Sequence, residues 1–117
     1  FRTVGFVLDR IPAARVALHF HDTYGTALAN VMAGMELGIT TFDASAGGLG
    51  GCPYAPGAAG NVSTEDVVYM LDRMEIACGV DLPKLATASR IIEKLLGRDL
   101  PSKQLRRMVA TVGNCSQ

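Results

Sequence analysis

One stretch limits the folds open to this chain more than any other. Residues 15–45 alternate with the period of a strand, turn helical, and then alternate again. In Arg15-Val16-Ala17-Leu18-His19-Phe20-His21, the residues Val16, Leu18 and Phe20 share one face, and Ala17, His19 and His21 share the other. Asp22-Thr23 can cap a helix that follows directly. Ala27, Leu28, Val31, Met32 and Met35 give that helix an apolar stripe, with both methionines as core filler. Gly38 stands where a glycine ends a helix, and Ile39 to Ser45 reads as a second strand. Strand, helix and strand in this order make a βαβ crossover with parallel strands, so the chain is α/β.

The flanking segments are simpler. Residues 3–9 read as the end of a helix that Pro12 stops. Residues 46–61 form a long glycine-rich loop at the end of a parallel strand, a place where loops carry function or disorder. A third strand is an option near Gly60–Ser63. Ser63 or Thr64 then caps a helix with Glu65 and Asp66 in its first turn, where the macrodipole favours them. Val67, Val68, Met70, Leu71 and Met74 supply its buried face. Asp81 starts a further helix through Leu96 with Leu85, Ala88, Ile91, Ile92 and Leu95 as its stripe, and Gly97 ends it. Residues 102–112 read as a last short helix beside the basic cluster Arg98, Lys103, Arg106 and Arg107.

Composition removes several function classes. The 117 residues hold 11 basic and 11 acidic side chains, so the net charge is zero. A general grip on nucleic acid or a basic membrane-surface stripe needs an excess of positive charge. No apolar run approaches the roughly 18 residues that cross a bilayer. With 49% hydrophobic and 19% charged residues, the chain is not a disordered one. Cys52, Cys78 and Cys115 form no metal-type pair and read as reduced thiols of an intracellular protein. Cys78 is expected to be buried and Cys115 free. The chain opens on Phe1 without a signal or transit pattern, which reads as a piece of something longer.

The only two histidines lie in His19-Phe20-His21-Asp22. On a strand this spacing aims both imidazoles to one side, about 6–7 Å apart along the chain. Such a pair suits a divalent metal, or is two inert polar residues at a strand end. The carboxyl end of a parallel strand is where α/β sheets and barrels bind ligands. Asp43 is either a partner that orients a histidine or an interior polar group. Asn61 is either a ligand through its carbonyl oxygen or a turn residue. Cys52, between Gly51 and Pro53, is a candidate acid, base or nucleophile, or an incidental thiol. The basic tail either meets phosphate or is a solvated helix face.

The motifs together resemble one family. They are His19-Phe20-His21-Asp22-Thr23-Tyr24-Gly25, Ala27-Leu28-Ala29-Asn30, Asp43-Ala44-Ser45, Gly48-Leu49-Gly50-Gly51-Cys52-Pro53-Tyr54-Ala55, Gly60-Asn61-Val62, and Thr64 through Leu71. Over about residues 10–97 the chain resembles the hydroxymethylglutaryl-CoA lyases. The wider superfamily of metal-dependent barrel lyases and synthases shares the His-x-His and Gly-Asn pairs, and the cysteine loop is the more specific feature.

The resemblance implies that residues 1–117 are one segment, the carboxyl-terminal portion of a (β/α)8 TIM barrel that is incomplete in this chain. It implies cleavage of 3-hydroxy-3-methylglutaryl-CoA to acetyl-CoA and acetoacetate. His19, His21 and Asn61 match metal ligands, with Mg²⁺ or Mn²⁺ as the ion. Cys52 matches a mobile catalytic cysteine, and His19 also matches a residue with a catalytic role besides ligation. The implied partners are an acyl-CoA thioester substrate and, in the full-length protein, a second copy in a homodimer, with no nucleic acid and no membrane. The implied compartment is the cytoplasm of a bacterium or the mitochondrial matrix of a eukaryote. The family's Asp-Arg-Glu-type motif on the first strand is absent, so the chain alone is expected to be inactive and poorly folded or associated. The rival readings are another metal-dependent barrel aldolase or synthase, a non-catalytic truncated fragment, and a plain α/β packing module.

Overall fold

The structure, a computed structural model, describes residues 2–51 and 59–113. Helix α1 (Arg2–Leu8) ends before Pro12, as the sequence suggests. Strands β1 (Ala17–His19) and β2 (Thr41–Asp43) are parallel neighbours joined by helix α2 (Ala27–Glu36). Ala17 lies opposite Thr41, Leu18 opposite Phe42, and His19 opposite Asp43. The expected crossover is present, although regular pairing covers only the middle of each alternating stretch.

Helix α2 starts later than Asp22-Thr23 suggests, with Thr26 at its N-cap. Asp22 still serves it from a distance, because its Oδ1 accepts from the N–H of Ala27 at 2.9 Å. Ala27 and Val31 of α2 are buried against Val62 and Val67, with Phe20, Leu28, Met35 and Phe42 packed around them. Gly34 marks the closest approach of α2 to the sheet: a Cβ there would lie 2.7 Å from Leu18 Cδ1 and 2.9 Å from Phe42 Cε1. Met32, expected in the core, is exposed. Ile39 is buried rather than facing outward with Asp43, because it precedes the ladder and its N–H bonds to Gly34. The other face of the sheet, formed by Ala17, His19, Thr41 and Asp43, is open to solvent.

Residues 60–64 tie the two strand tips together. Asp22 N–H donates to Gly60 O (2.7 Å) and Val62 N–H to Phe20 O (3.0 Å) on the β1 side. Ser45 N–H donates to Val62 O (3.0 Å) and Thr64 N–H to Ser45 O (2.9 Å) on the β2 side. The third strand is therefore reduced to single bridges, His21 with Asn61 and Ser45 with Ser63. This arrangement presses the two ends of the glycine loop together. A Cβ on Gly60 would sit 1.9 Å from Gly50 O, an impossible distance to a backbone atom.

Three helices follow: α3 (Thr64–Arg73), α4 (Leu82–Leu96) and α5 (Lys103–Gly113). Ser63 caps α3 by accepting from Asp66 N–H at 3.2 Å. Asp81 caps α4 through Lys84 N–H at 3.0 Å, and Gly97 ends it at φ +64°. Asp66 in turn caps α5 from outside, accepting from Ser102 Oγ (3.1 Å) and Gln104 N–H (2.8 Å). None of the helices among the described residues is long and apolar enough to cross a membrane.

Several expectations about these helices fail: Met74, expected on the buried face of α3, is exposed at its C-cap. The buried face of α4 is Leu82, Ala86 and Ser89, while Ile91 and Leu95 of the apolar stripe are 56% and 81% exposed. On that face Ala86 meets Leu100 and Leu105, and Ser89 meets the Glu65 carboxylate. Cys78, expected inside, is exposed in the connector after α3.

Glu65 holds this half of the molecule together. It is fully buried, and its Oε2 accepts from Gly47 N–H (2.7 Å) and Ser63 Oγ (3.0 Å). Its Oε1 accepts from Ser89 Oγ of α4. Gly47 has φ +63° and lies under Leu100, so no side chain fits there.

Three outcomes follow from this packing. Glu65→Ala strands the Gly47, Ser63 and Ser89 donors and is expected to cost about 2–4 kcal/mol, read as a shift in the urea midpoint. Gly60→Ala is expected to lower the thermal midpoint far more than Gly38→Ala. The second meets nothing within 4 Å at φ +82° and carries only a left-handed backbone penalty of about 1–2 kcal/mol. The backbone N–H of Lys84, and then its side chain, hold the Asp81 carboxyl below its usual range. Its folded value is the lower one, so its contribution is complete above the usual carboxylate range and fades as pH falls through the lowered value. Helix content near α4, followed by circular dichroism, is expected to acquire a smaller acid-induced loss in Asp81→Asn, which keeps the cap without the titration.

Candidate functional site

His19 and His21 stand at the carboxyl end of β1. Their ring centroids are 5.3 Å apart with the planes tilted by 58°, so both imidazoles lie on one side of the chain. The strand periodicity requires this placement. His19 Nδ1 lies 3.9 Å from Asp43 Oδ2, across the parallel ladder.

Asn61 comes to the same place from the other end of the glycine loop, bridged to His21 through the backbone. Its Nδ2 donates to Leu49 O at 3.0 Å, which sets the orientation of the amide and makes Oδ1 the atom turned away from that contact. Gly50 permits this: at φ +112° its absent Cβ would lie 2.6 Å from Asn61 Nδ2. The glycine-rich sequence around Asn61 is therefore a steric requirement as well as a source of backbone freedom.

Two imidazoles and an amide oxygen are donors that divalent ions of intermediate hardness accept. The residues fit such an ion as a partial set. Among the described residues, no three His, Cys, Asp or Glu side chains form a metal cage. A cation here would draw its remaining ligands from outside these residues.

Cys52 lies outside the described residues, as does Cys115. The two residues flanking the 52–58 stretch are placed, however. Gly51 and Ala59 bridge each other in antiparallel fashion, and Thr23 Oγ1 donates to Ala59 O at 3.2 Å. The loop bearing Cys52 thus leaves and rejoins the fold beside Asn61 and the turn after His21.

A cleft of about 190 Å³ opens next to these flanks, lined by Gly48, Gly50, Gly51 and Gly60 and by the charged residues Arg98, Asp99 and Arg106. A solvated helix face was one of two readings of the basic tail, and the structure divides the cluster. Arg98 and Arg106 reach the cleft, whereas Arg107 lies over the Tyr69 ring at 5.3 Å. The sequence signal for this was the turn at Gly97–Ser102. It folds α5 back onto the glycine loop, with Ser102 N–H donating to Gly47 O at 3.0 Å.

Comparisons with known proteins agree with the resemblance in the motifs. The HMGL-like family model matches residues 1–92. A Bacillus subtilis protein, hydroxymethylglutaryl-CoA lyase YngG, is 58% identical over 100 residues, covering 86% of this chain and 33% of that protein. The crystal structure of hydroxymethylglutaryl-CoA lyase from Pseudomonas aeruginosa matches with a TM-score of 0.91 at 47% identity, covering 94% of this chain and 37% of that one. An HMG-CoA lyase from Acinetobacter baumannii, solved in complex with coenzyme A and 3-methylmalate, matches with a TM-score of 0.79 at 49% identity, over 87% of this chain and 33% of that one. The chain spans about a third of the length of these relatives, and its fold is that of the matching part of the solved lyases. By this match over most of its length, the chain belongs to the HMGL-like family.

Proposed function

We propose that this chain is the part of a hydroxymethylglutaryl-CoA lyase that brings two imidazoles, an amide and a thiol to the active site. The whole protein would cleave 3-hydroxy-3-methylglutaryl-CoA to acetyl-CoA and acetoacetate. The meeting of His19, His21 and Asn61 at the carboxyl ends of parallel strands carries this reading. His19, His21 and Asn61 Oδ1 are the donors offered to a divalent cation, Mg²⁺ or Mn²⁺. When bound, that ion supplies Lewis acidity toward the substrate's hydroxyl and carbonyl oxygens.

The bookkeeping of the cleavage assigns work to the chain's own residues. The tertiary hydroxyl loses its proton to a base that the rest of the protein supplies, since His19 offers its free nitrogen to the cation. Its oxygen then forms the ketone of acetoacetate, and the electrons of the broken carbon–carbon bond pass to the carbon next to the thioester. That carbon must take a proton to become the methyl group of acetyl-CoA. Cys52, on a loop anchored beside Asn61, is the residue proposed to deliver it. Arg98 and Arg106, offset in charge by Asp99, line a cleft walled by glycines, and the excess of one positive charge is the basis for reading it as a place for the phosphates of coenzyme A. An acyl-CoA substrate, though not its place in this cleft, is supported by the A. baumannii lyase, whose structure contains coenzyme A.

The test joins this chain to the remaining two-thirds of the B. subtilis relative. The joined protein is expected to turn over the CoA substrate, and the 117-residue chain by itself is not. Cys52→Ala is expected to lower kcat by about 100-fold or more, the usual scale for losing a positioned proton donor. His21→Ala is expected to lose bound metal and turnover together. Full turnover in Cys52→Ala, with activity on a 2-keto acid in place of the CoA ester, would identify a barrel aldolase instead. Metal content unchanged in His21→Ala would remove that residue from the ligand set.

A further inference from the structure

We propose that Asp43 is the positioning residue of this site: it takes the Nδ1–H of His19 and so leaves Nε2 as the nitrogen that His19 offers to a cation. The inference rests on the metal-site reading above and deepens it.

The parallel register makes the pairing. Residues opposite each other on adjacent strands stand about 4.8 Å apart and point to the same face. His19 and Asp43 are such a pair, and their side chains meet at 3.9 Å through Nδ1 and Oδ2. Of the four residues on that face, Ala17 carries no polar side-chain atom, and Thr41 lies one pair further down, opposite Ala17. Asp43 is therefore the carboxylate of the open face that His19 can reach. Both groups are half or more exposed, and 3.9 Å is ion-pair range rather than hydrogen-bond range. Water shares the contact while the face is open. Covering the face with protein removes that competition.

The chemical consequence concerns the tautomer. A neutral imidazole holds one proton, and the nitrogen that donates it fixes which lone pair remains for a ligand. Donation from Nδ1 to a carboxylate also stops the ring from turning. His21 sits two residues on, where Asn61 and not a second strand residue is its neighbour. The two imidazoles of the pair are thus held by different means.

The experiment measures Mn²⁺ dissociation constants by the electron paramagnetic resonance of free Mn²⁺, in the joined protein described above. Asp43→Ala is expected to weaken Mn²⁺ about 10–100-fold. Asp43→Asn keeps an acceptor for Nδ1–H and is expected to restore most of that loss. Thr41→Ala, on the same face, is expected to leave binding unchanged. A merely structural Asp43 would lower the thermal midpoint in both Asp43 variants without this rescue. A second readout needs no metal. In the joined protein, ¹⁵N correlation spectra at a pH where both rings are neutral, assigned with His19→Gln and His21→Gln, report each ring. His19 is expected as the Nδ1–H form, moving toward Nε2–H in Asp43→Ala. Mn²⁺ bound equally tightly by Asp43→Ala, or Nε2–H at His19 in a chain with dispersed amide signals, overturns the proposal. Failure of the unsubstituted joined protein to bind Mn²⁺ would instead overturn the metal-site reading beneath it.

Discussion

The candidate site depends on a backbone crossing that only glycine allows. Residues 60–64 bond to the tips of both strands, and this brings Gly60 against the carbonyl of Gly50. Two strands of three residues each are far too small a sheet to hold side chains in place. The crossing segment makes up for that shortfall. It adds a third set of backbone hydrogen bonds where β1 and β2 end, and it delivers Asn61 to His21 in the same step. Position and chemistry are coupled here: whatever displaces Gly60 also displaces the amide.

The helices after the crossing hold it from behind. Glu65 links the 3-10 turn Ala46–Gly48, the cap of α3 and the middle of α4 through one carboxyl group. Burying a carboxyl group is unfavourable unless its oxygens are bonded, and here three donors meet it. Asp66, the next residue, holds the start of α5, and α5 places Arg106 at the cleft. The terminal helices therefore act on the glycine loop through specific polar contacts, in addition to the small apolar cluster of Ala86, Leu100 and Leu105.

Local features were legible in the sequence, and long-range ones were not. Ser63, Asp81 and Gly97 mark helix ends because capping is settled within one turn. The common side of His19 and His21 follows from strand geometry alone. Glu65 was correctly placed in a first helical turn, but its burial depends on Gly47 and Ser89, 18 and 24 residues away. The apolar stripe of α4 misled because the partners of its buried face, Leu100 and Leu105 for Ala86 and Glu65 for Ser89, lie elsewhere in the chain. Asp22 was right as a cap and wrong in its reach, since five residues separate it from the N–H it serves. The glycine richness of the loop was legible, but not that Gly50 and Gly60 stand where a Cβ would strike Asn61 and the Gly50 carbonyl.

The open face of the sheet bears on how strongly the site residues can interact. The chain has a radius of gyration of 15.6 Å, where a compact chain of this length would have about 13 Å. His19 and Asp43 lie on an exposed face, and the relatives are about three times as long as this chain. In water the attraction between an imidazole and a carboxylate at 3.9 Å is weak, and it strengthens as the surroundings lose polarity. A cation also needs further ligands beyond two imidazoles and an amide. Geometry is thus already present in this chain, in the register of β1 and β2 and the crossing at Gly60, while the strength of the interactions it sets up depends on the polarity around them.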